Sequence, residues 1–341
     1  MSGRCLAVAI AQFGGPEQLR VLELPMPAPG RGEVVLRLKA AAVNPIDTRR
    51  RAGYGRRLMS VLGAARLPLV LGNDFAGTVC AVGRGVTGLR EGDTVFGAKP
   101  PSRQGSHATH LAVDAGLVLH QPRGITATQL AVMPYNFLTV WRAMAGAGIT
   151  RANIHGRDVL VHGASGGLGL IALRLLHSMG ARVTAVAGAR RDACRLAGAA
   201  SVVDRHSIPL RALPRQFAAT LNFASWDDEA ALLGLLAPGA LGHATTVHPL
   251  LGRVDASGLA GGLAGAWLEK RRMGSKVPAG ARYAWTVFRP ERATLEQLAN
   301  FAPLLQLATE PLGFPLARAA QAHWHVEQQL PGRAVLLPHM T

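Results

Sequence analysis

The sequence predicts an α/β chain in two parts, an antiparallel β-barrel followed by a doubly wound parallel sheet. Three observations predict it. The 341 residues amount to about two domains at the usual ~150 residues each. Residues 1–125 read as short strands broken by turns, and the middle of the chain holds a strand, a glycine turn, a helix and a second strand in succession.

The barrel strands, in order, are VVLRLKAAAV (34–43), FAGTVCAV (75–82), DTVFGA (93–98) and HATHLAV (107–113). Gly83, Gly85, Gly88 and Gly92 punctuate them at intervals that suit hairpins rather than helices. From residue 126 the rhythm changes. Residues 127–148 form a helical run containing one proline, and DVLVHGASGGLGLIALRLLHSMGARVTAVAG (158–188) is a βαβ unit. Both of its strands are apolar throughout, as a parallel sheet covered on two faces requires. The alternation continues through AASVVD (199–204), FAATLNFA (217–224), the helix 227–239 and GHATTVHP (242–249). Residues 255–280, rich in Gly, Ala and Arg, show no assignable pattern. A strand RYAWTVF (282–288), a helix at 293–308 and a last helix and strand within 313–338 close the series.

Composition narrows the function. Thirty-seven Lys and Arg against 20 Asp and Glu leave a net charge of +17, nearly all of it arginine. Such a balance suits anionic ligands or nucleic acid, but the densest runs, Arg49–Arg51, Arg56–Arg57 and Lys270–Arg272, are too short to resemble a basic tail. Nucleic acid is therefore not the expected partner. Cys5, Cys80 and Cys194 have no CxxC spacing, and their odd number leaves one unpaired, which points to a reducing compartment, the cytoplasm. CLAVAIAQFGG near the start is short, with no A-x-A cleavage site. No window of 18 uninterrupted apolar residues exists, so no membrane span is expected.

The sharpest motif is VLVHGASGGLGL. Gly163, Gly166 and Gly169, with Gly167 a fourth, stand between a strand and a helix, in the segment Gly163-Ala164-Ser165-Gly166-Gly167-Leu168-Gly169. A dinucleotide needs this because its pyrophosphate must approach backbone amides at the helix N-terminus, where any Cβ would block it. The residue about 20 positions further on selects the cofactor. An acid there holds the ribose of NAD, whereas space and positive charge accept the 2′-phosphate of NADP. Here Gly188, Arg190 and Arg191 occupy that place, so NADPH is expected, unless the two arginines only open the next helix.

Together with FGGPEQL (13–19), AAAVNPIDTRRRAGYG, LGNDFAGTVCAVG, GDTVFG, MPYNFLTVW and PGRAVLLP, these motifs make the chain resemble the zinc-independent quinone oxidoreductase branch of the medium-chain dehydrogenase/reductases. GYG, the insertion after it and KPPSRQGSHATHLAV look most like the reticulon-interacting oxidoreductases of that branch. The resemblance implies a GroES-like barrel domain over 1–125, a Rossmann domain over 126–288, a C-terminal return over 289–341, a cofactor cleft between the domains and a homodimer. Zinc-dependent members carry Cys where this chain has Asn44 and Gly-His-Glu where it has Gly72-Asn73-Asp74. With those donors missing, a metal is not expected.

Chemistry without a metal falls to few groups. Asn44 matches the family's active-site Asn, placed to donate its amide to a quinone or enone carbonyl; the alternative is a turn residue ahead of Pro45. Asp47 either acts beside it or caps the segment TRRR. Tyr54, between glycines, is a candidate proton donor, and Arg49 stands where bacterial relatives have Tyr. Thr139 matches a Thr beside the nicotinamide, with Tyr135 and Asn136 nearby, and Arg333 matches a cofactor-contacting cation. His107, Thr109 and His110 replace an aromatic and an acid common in relatives, which touches substrate shape. His323 and His325, two apart on a helix, point away from each other and read as structural. The expected activity is NADPH-dependent hydride transfer to a quinone or an α,β-unsaturated carbonyl. The alternatives are an enoyl-CoA or enoyl-carrier-protein reductase, and an RNA- or protein-binding member of the family.

Overall fold

The computed structural model describes residues 3–305 and 310–340, so the end of the 293–308 helix lies outside the described residues. The chain divides into unit 1, Met1–Tyr135 with Arg289–Thr341, and unit 2, Asn136–Phe288.

Unit 1 is a β-barrel-like assembly. Its elements are β1 (Arg4–Ile10), β2 (Leu19–Pro25), β3 (Glu33–Ala42), α1 (Pro45–Arg51), α2 (Arg56–Val61), β4 (Leu69–Val70), β5 (Asp74–Val82), β6 (Thr94–Ala98), β7 (His110–Asp114), β8 (Val118–His120) and α3 (Ala127–Ala131). Helix α4 (Pro134–Gly146) begins in unit 1 and continues into unit 2. Pro134 splits the helical run expected at 127–148 into α3 and α4, because a proline starts a helix readily but cannot sit in its interior. Strand β3 is the hub, paired antiparallel with β5 and β7. Val34, Leu36 and Leu38 are buried while Arg37 and Lys39 face solvent, the period-2 pattern of a strand with one wet face. Val34, Leu36 and Leu38 pack with Phe75, Val79, Val95, Leu111 and Val113. A second sheet, β2-β1-β4, opens the unit; the sequence reading starts the barrel only at residue 34.

Unit 2 comprises α5 (Arg151–Ile154), β9 (Asp158–His162), α6 (Gly167–Ser178), β10 (Arg182–Ala187), α7 (Arg191–Leu196), β11 (Ser201–Asp204), β12 (Ala219–Asn222), α8 (Glu229–Gly234), β13 (Gly242–Thr245), α9 (Leu250–Gly274) and β14 (Arg282–Trp285) after α4. Its six strands run parallel in the order β11-β10-β9-β12-β13-β14, with Val159–His162 of β9, Ala185–Ala187 of β10 and all of β12 buried. Helix α9 fills most of the stretch that had no sequence pattern, with a break at Gly258, φ +75°. Under β12–β14, Asn222 and Tyr283 each donate to the buried Glu229 carboxylate at 2.8 Å. Burial pushes Glu229 up, but His243 and these hydrogen bonds outweigh it and hold the group below its usual value.

The C-terminal segment returns to unit 1 as α10 (Arg292–Leu305), β15 (Pro311–Pro315), α11 (Ala319–Glu327) and β16 (Arg333–Leu337). Strand β16 pairs antiparallel with β3 and parallel with β15. Arg51 ties α1 to this return through an ion pair with Glu327. His323 is buried, its ring edge-on to the buried His107 with centroids 5.4 Å apart, and His325 bonds the Gly332 carbonyl at 3.3 Å.

Burial pushes the pKa of both His107 and His323 down, His323 well below the usual value. The folded chain therefore keeps both rings neutral where the unfolded chain protonates them, so stability is lost as pH falls below about 6.5. A plot of unfolding free energy against pH is expected to be flat near pH 7.5 and to fall below about pH 6.5. His323→Leu should reduce that slope by up to ~1.4 kcal/mol per pH unit, one proton's worth. Urea melts of both proteins across that range check it; identical slopes would contradict it.

Candidate active site

The glycine turn joins β9 to α6, and each glycine has a different reason to be there. Gly163 has φ +79°, a backbone conformation that side chains disfavour. A Cβ on Gly169 would lie 2.4 Å from the carbonyl oxygens of both Gly163 and Ala164, so close helix–strand packing excludes it. Gly166, the N-cap of α6, has an ordinary extended backbone, φ −79° and ψ 174°. A Cβ there would meet only the Gly163 oxygen, at 3.4 Å. The protein itself gives no steric reason for glycine at 166, which leaves the space to a ligand at the helix N-terminus. Turn, approach and packing are the three roles of a dinucleotide-binding loop, so these residues fit a pyrophosphate.

His162, which the sequence reading passed over, precedes the turn. It is 2% exposed, with Nε2 2.8 Å from the Asp228 carboxylate. Burial lowers its pKa, against the pull of Asp228.

Beyond the end of β10 lies a cavity of about 410 Å³ lined by Gly188, Arg190, Arg191, Asp192, Arg195 and Asp204 among others. Arg190 adopts the left-handed region, φ 53°, at the start of α7. Arg191 pairs with Asp204 and Arg195 with Asp192. The two arginines thus open α7 and line the cavity at once. Asp204 was not singled out in the sequence, because it ends the neighbouring strand β11 rather than β10.

In unit 1, Asn44 precedes α1, yet its side chain does not cap that helix. Instead Nδ2 donates to Asp74 Oδ2 at 3.0 Å, and Oδ1 accepts from Arg333 Nη2 at 3.1 Å. The guanidinium can only donate, so it fixes which end of the amide is oxygen. Asn44 is completely buried and its second Nδ2 hydrogen is not engaged by Asp74. This arrangement is not what a turn residue before Pro45 requires. Burial drives the Asp74 carboxyl well above its usual range, opposed by the hydrogen bonds from Asn44 and from the Tyr135 amide, the latter 2.9 Å.

Asp47 is a cap. Its Oδ2 accepts the backbone N–H of Asn44 at 2.8 Å and its Oδ1 the backbone N–H of Gly72 at 3.1 Å. Tyr54 lies between Gly53 and Gly55, both at positive φ, with the Arg49 guanidinium 5.8 Å from its ring centroid. Arg50, buried, donates to the carbonyls of Ala64 and Ser102. Thr139 and Asn136 are buried on α4 in unit 2. Thr109 bridges to Leu6, and His107 bonds the Ala42 carbonyl at 3.0 Å. Among the described residues no three His, Cys, Asp or Glu side chains gather as a metal site, and no helix is long and apolar enough to cross a membrane.

Residues 30–141 match the family model described as the alcohol dehydrogenase GroES-like domain. The NAD(P)H oxidoreductase RTN4IP1, mitochondrial, of Bos taurus is 32% identical over 348 residues, covering 94% of this chain and 86% of that protein. The human quinone oxidoreductase is 33% identical over 184 residues, 53% of this chain and 52% of that one. Among solved structures, the quinone oxidoreductase from Coxiella burnetii superposes with a TM-score of 0.82 at 22% identity, over 98% and 99% of the two chains.

Proposed function

The chain belongs to the zinc-independent quinone oxidoreductase branch of the medium-chain dehydrogenase/reductases, and from that premise we propose that it is an NADPH-dependent reductase of quinones or α,β-unsaturated carbonyls. That it is an oxidoreductase using a nicotinamide cofactor follows from the family; the cofactor's phosphate and the acceptor are our reading. The observation that carries it is the clamped Asn44, whose amide is oriented by Asp74 and Arg333 with one N–H left to donate.

NADPH supplies the hydride, and the rest falls to the chain. When the acceptor carbon takes the hydride, negative charge develops on the conjugated oxygen, and a preset donor stabilises that charge without having to reorganise. The Asn44 N–H is this donor. The Tyr54 hydroxyl provides the proton that completes reduction. Arg333, assigned to the cofactor on resemblance, acts as a positioning residue for Asn44. Thr139 holds the nicotinamide side, and the loop from Gly163 to Gly169, Ala164, Ser165, Gly167 and Leu168 included, holds the pyrophosphate.

The cavity at Gly188, Arg190 and Arg191 supports the 2′-phosphate reading, since no acid ends β10. Arg190→Ala is expected to raise the KM for NADPH about tenfold to a hundredfold, the loss of one charge-assisted hydrogen bond, while leaving that for NADH unchanged. Equal KM values for the two cofactors in the wild type would refute the preference. The acceptor is tested by NADPH consumption with a benzoquinone, a naphthoquinone, an alkyl enone and crotonyl-CoA. Turnover of the quinones or the enone supports the proposal, turnover of the thioester alone makes the protein an enoyl-thioester reductase, and cofactor binding without turnover makes it a binding protein. The outer edge of β14 ends the sheet of unit 2, which supports a homodimer, and a monomeric mass in light scattering would exclude it. The three cysteines are free thiols, consistent with a reducing compartment such as the cytoplasm; the relative from Bos taurus is named as mitochondrial, also a reducing interior.

A further inference from the structure

The parallel sheet of unit 2 reverses its order between β9 and β12: β10 and β11 extend it on one side of that pair, β13 and β14 on the other. In such a sheet the ligand crevice lies outside the carboxyl ends of the two strands at the reversal. His162 ends β9, and Asn222, its neighbour across the ladder, ends β12. The glycine turn leaves from the first and loop 223–228 from the second, so these two segments wall the crevice. They meet at Gly163, where a Cβ would stand 3.1 Å from both the Cβ and the backbone nitrogen of Ala224.

Loop 223–228 is tied down at both ends. At its start the Phe223 N–H donates to the His162 carbonyl at 3.0 Å, and Asn222 accepts the Ala224 N–H at 3.2 Å while donating to the Ser225 carbonyl at 2.7 Å. At its far end stand two consecutive acids. Glu229 turns inward to Asn222 and Tyr283, and Asp228 crosses to β9, its carboxylate 2.8 Å from His162 Nε2. A carboxylate only accepts, so Nε2 carries a hydrogen. Burial favours the neutral ring, and the buried Nδ1, which finds no partner among the described residues, is then the bare nitrogen.

Asp228 is not there as a helix cap. It directly precedes α8, the position from which Asp ordinarily accepts first-turn amides, yet its side chain makes no cap hydrogen bond. It is also an acid, 43% exposed, on the rim of a crevice whose glycine turn fits a pyrophosphate, and its charge opposes an anion. Neither local propensity nor electrostatics accounts for aspartate at this position; the bond to His162 does.

We infer that His162 and Asp228 are positioning residues for the dinucleotide: their hydrogen bond joins the two walls of the crevice and holds loop 223–228 against Gly163. The inference rests on the reading that the glycine turn is the cofactor site. Neither side chain is asked to touch the cofactor. Affinity is gained because the walls are ordered before the pyrophosphate arrives, so binding does not bear that ordering cost.

The test is fluorescence titration of the full-length wild type, Asp228→Ala and Asp228→Asn with NADPH and with NADH, alongside Gly166→Val. Asp228→Ala is expected to raise the dissociation constant about tenfold, the loss of one hydrogen bond to a charged group, and equally for both cofactors, which share the pyrophosphate. Charge alone predicts the opposite sign, because removing an acid favours an anionic ligand. Asp228→Asn removes the same charge but keeps an oxygen to accept the Nε2 hydrogen, so it should recover most of the loss. The position is half-exposed and caps nothing, so both variants are expected to fold, which thermal melts check. Unchanged or tighter binding in Asp228→Ala, weakening for NADPH alone, or equal weakening in the alanine and asparagine variants would overturn the positioning role while Gly166→Val still loses affinity. Affinity retained in Gly166→Val, or no binding of either cofactor by the wild type, would overturn the site and the inference with it.

Discussion

Gly166→Val is expected to raise the dissociation constant for NADPH at least about a hundredfold, roughly 2.7 kcal/mol, while the protein stays folded. The two halves of this expectation rest on different geometry. The extended backbone of Gly166 is one that valine adopts without strain, and the nearest protein atom to its Cβ would be the Gly163 oxygen at 3.4 Å. The chain can therefore accept the side chain; a pyrophosphate seated on the amides of α6 cannot, because its oxygens need the volume that the isopropyl group would fill. Gly169→Ala is the contrasting control. Its methyl would press on two backbone oxygens at 2.4 Å, so it should lower the melting temperature even without ligand. Fluorescence titration with NADPH beside thermal melts separates the two, and retained affinity in Gly166→Val would show that the cofactor binds elsewhere.

Asn44→Ala should lower kcat by about 1–3 kcal/mol, roughly fivefold to 150-fold, with little change in cofactor affinity. The substitution would remove the proposed donor to the developing oxyanion, and it leaves Arg333 and Asp74 without their shared partner. Arg333→Met tests the positioning role. It keeps the Asn44 amide but frees it to turn over, so kcat should fall by less than in Asn44→Ala. Single-turnover and steady-state rates with the best acceptor check both. An unchanged kcat in Asn44→Ala would move the oxyanion contact to Tyr54 or to the cofactor ribose.

The parallel sheet of unit 2 was legible because buried parallel strands are continuously apolar and because Gly163, Gly166 and Gly169 stand at a strand–helix junction. Local signals sufficed there. They failed at α9, where glycine and alanine weaken helical periodicity and Gly258 breaks the element, and at β1 and β2, which are defined by pairing with each other rather than by a marked motif. Of the site, Asn44 was legible as a candidate but not its clamp. The sequence could not distinguish a turn Asn from a donor, because the distinction lies in Asp74, 30 residues away, and Arg333, 289 residues away. Asp47 illustrates the reverse. Its spacing of three from Asn44 fits both a catalytic acid and a helix cap, and its two backbone amide partners show the capping bonds.

The position of Arg333 sets an order on biosynthesis. Strand β16 pairs with β3 and also receives the Val43 backbone N–H on the Ala334 carbonyl, 3.0 Å, so unit 1 cannot complete its sheet until residues 333–337 have left the ribosome. At roughly 5–20 residues per second, Asn44 waits about 15–60 seconds for its guanidinium partner. Unit 2, contiguous in the chain, has all its strands by residue 285 and is free to fold first. A nascent chain, or a product truncated before β16, can thus reach the parallel-sheet fold of unit 2 while the Asn44 side chain still lacks its guanidinium partner, so the proposed donor is oriented only once β16 has emerged.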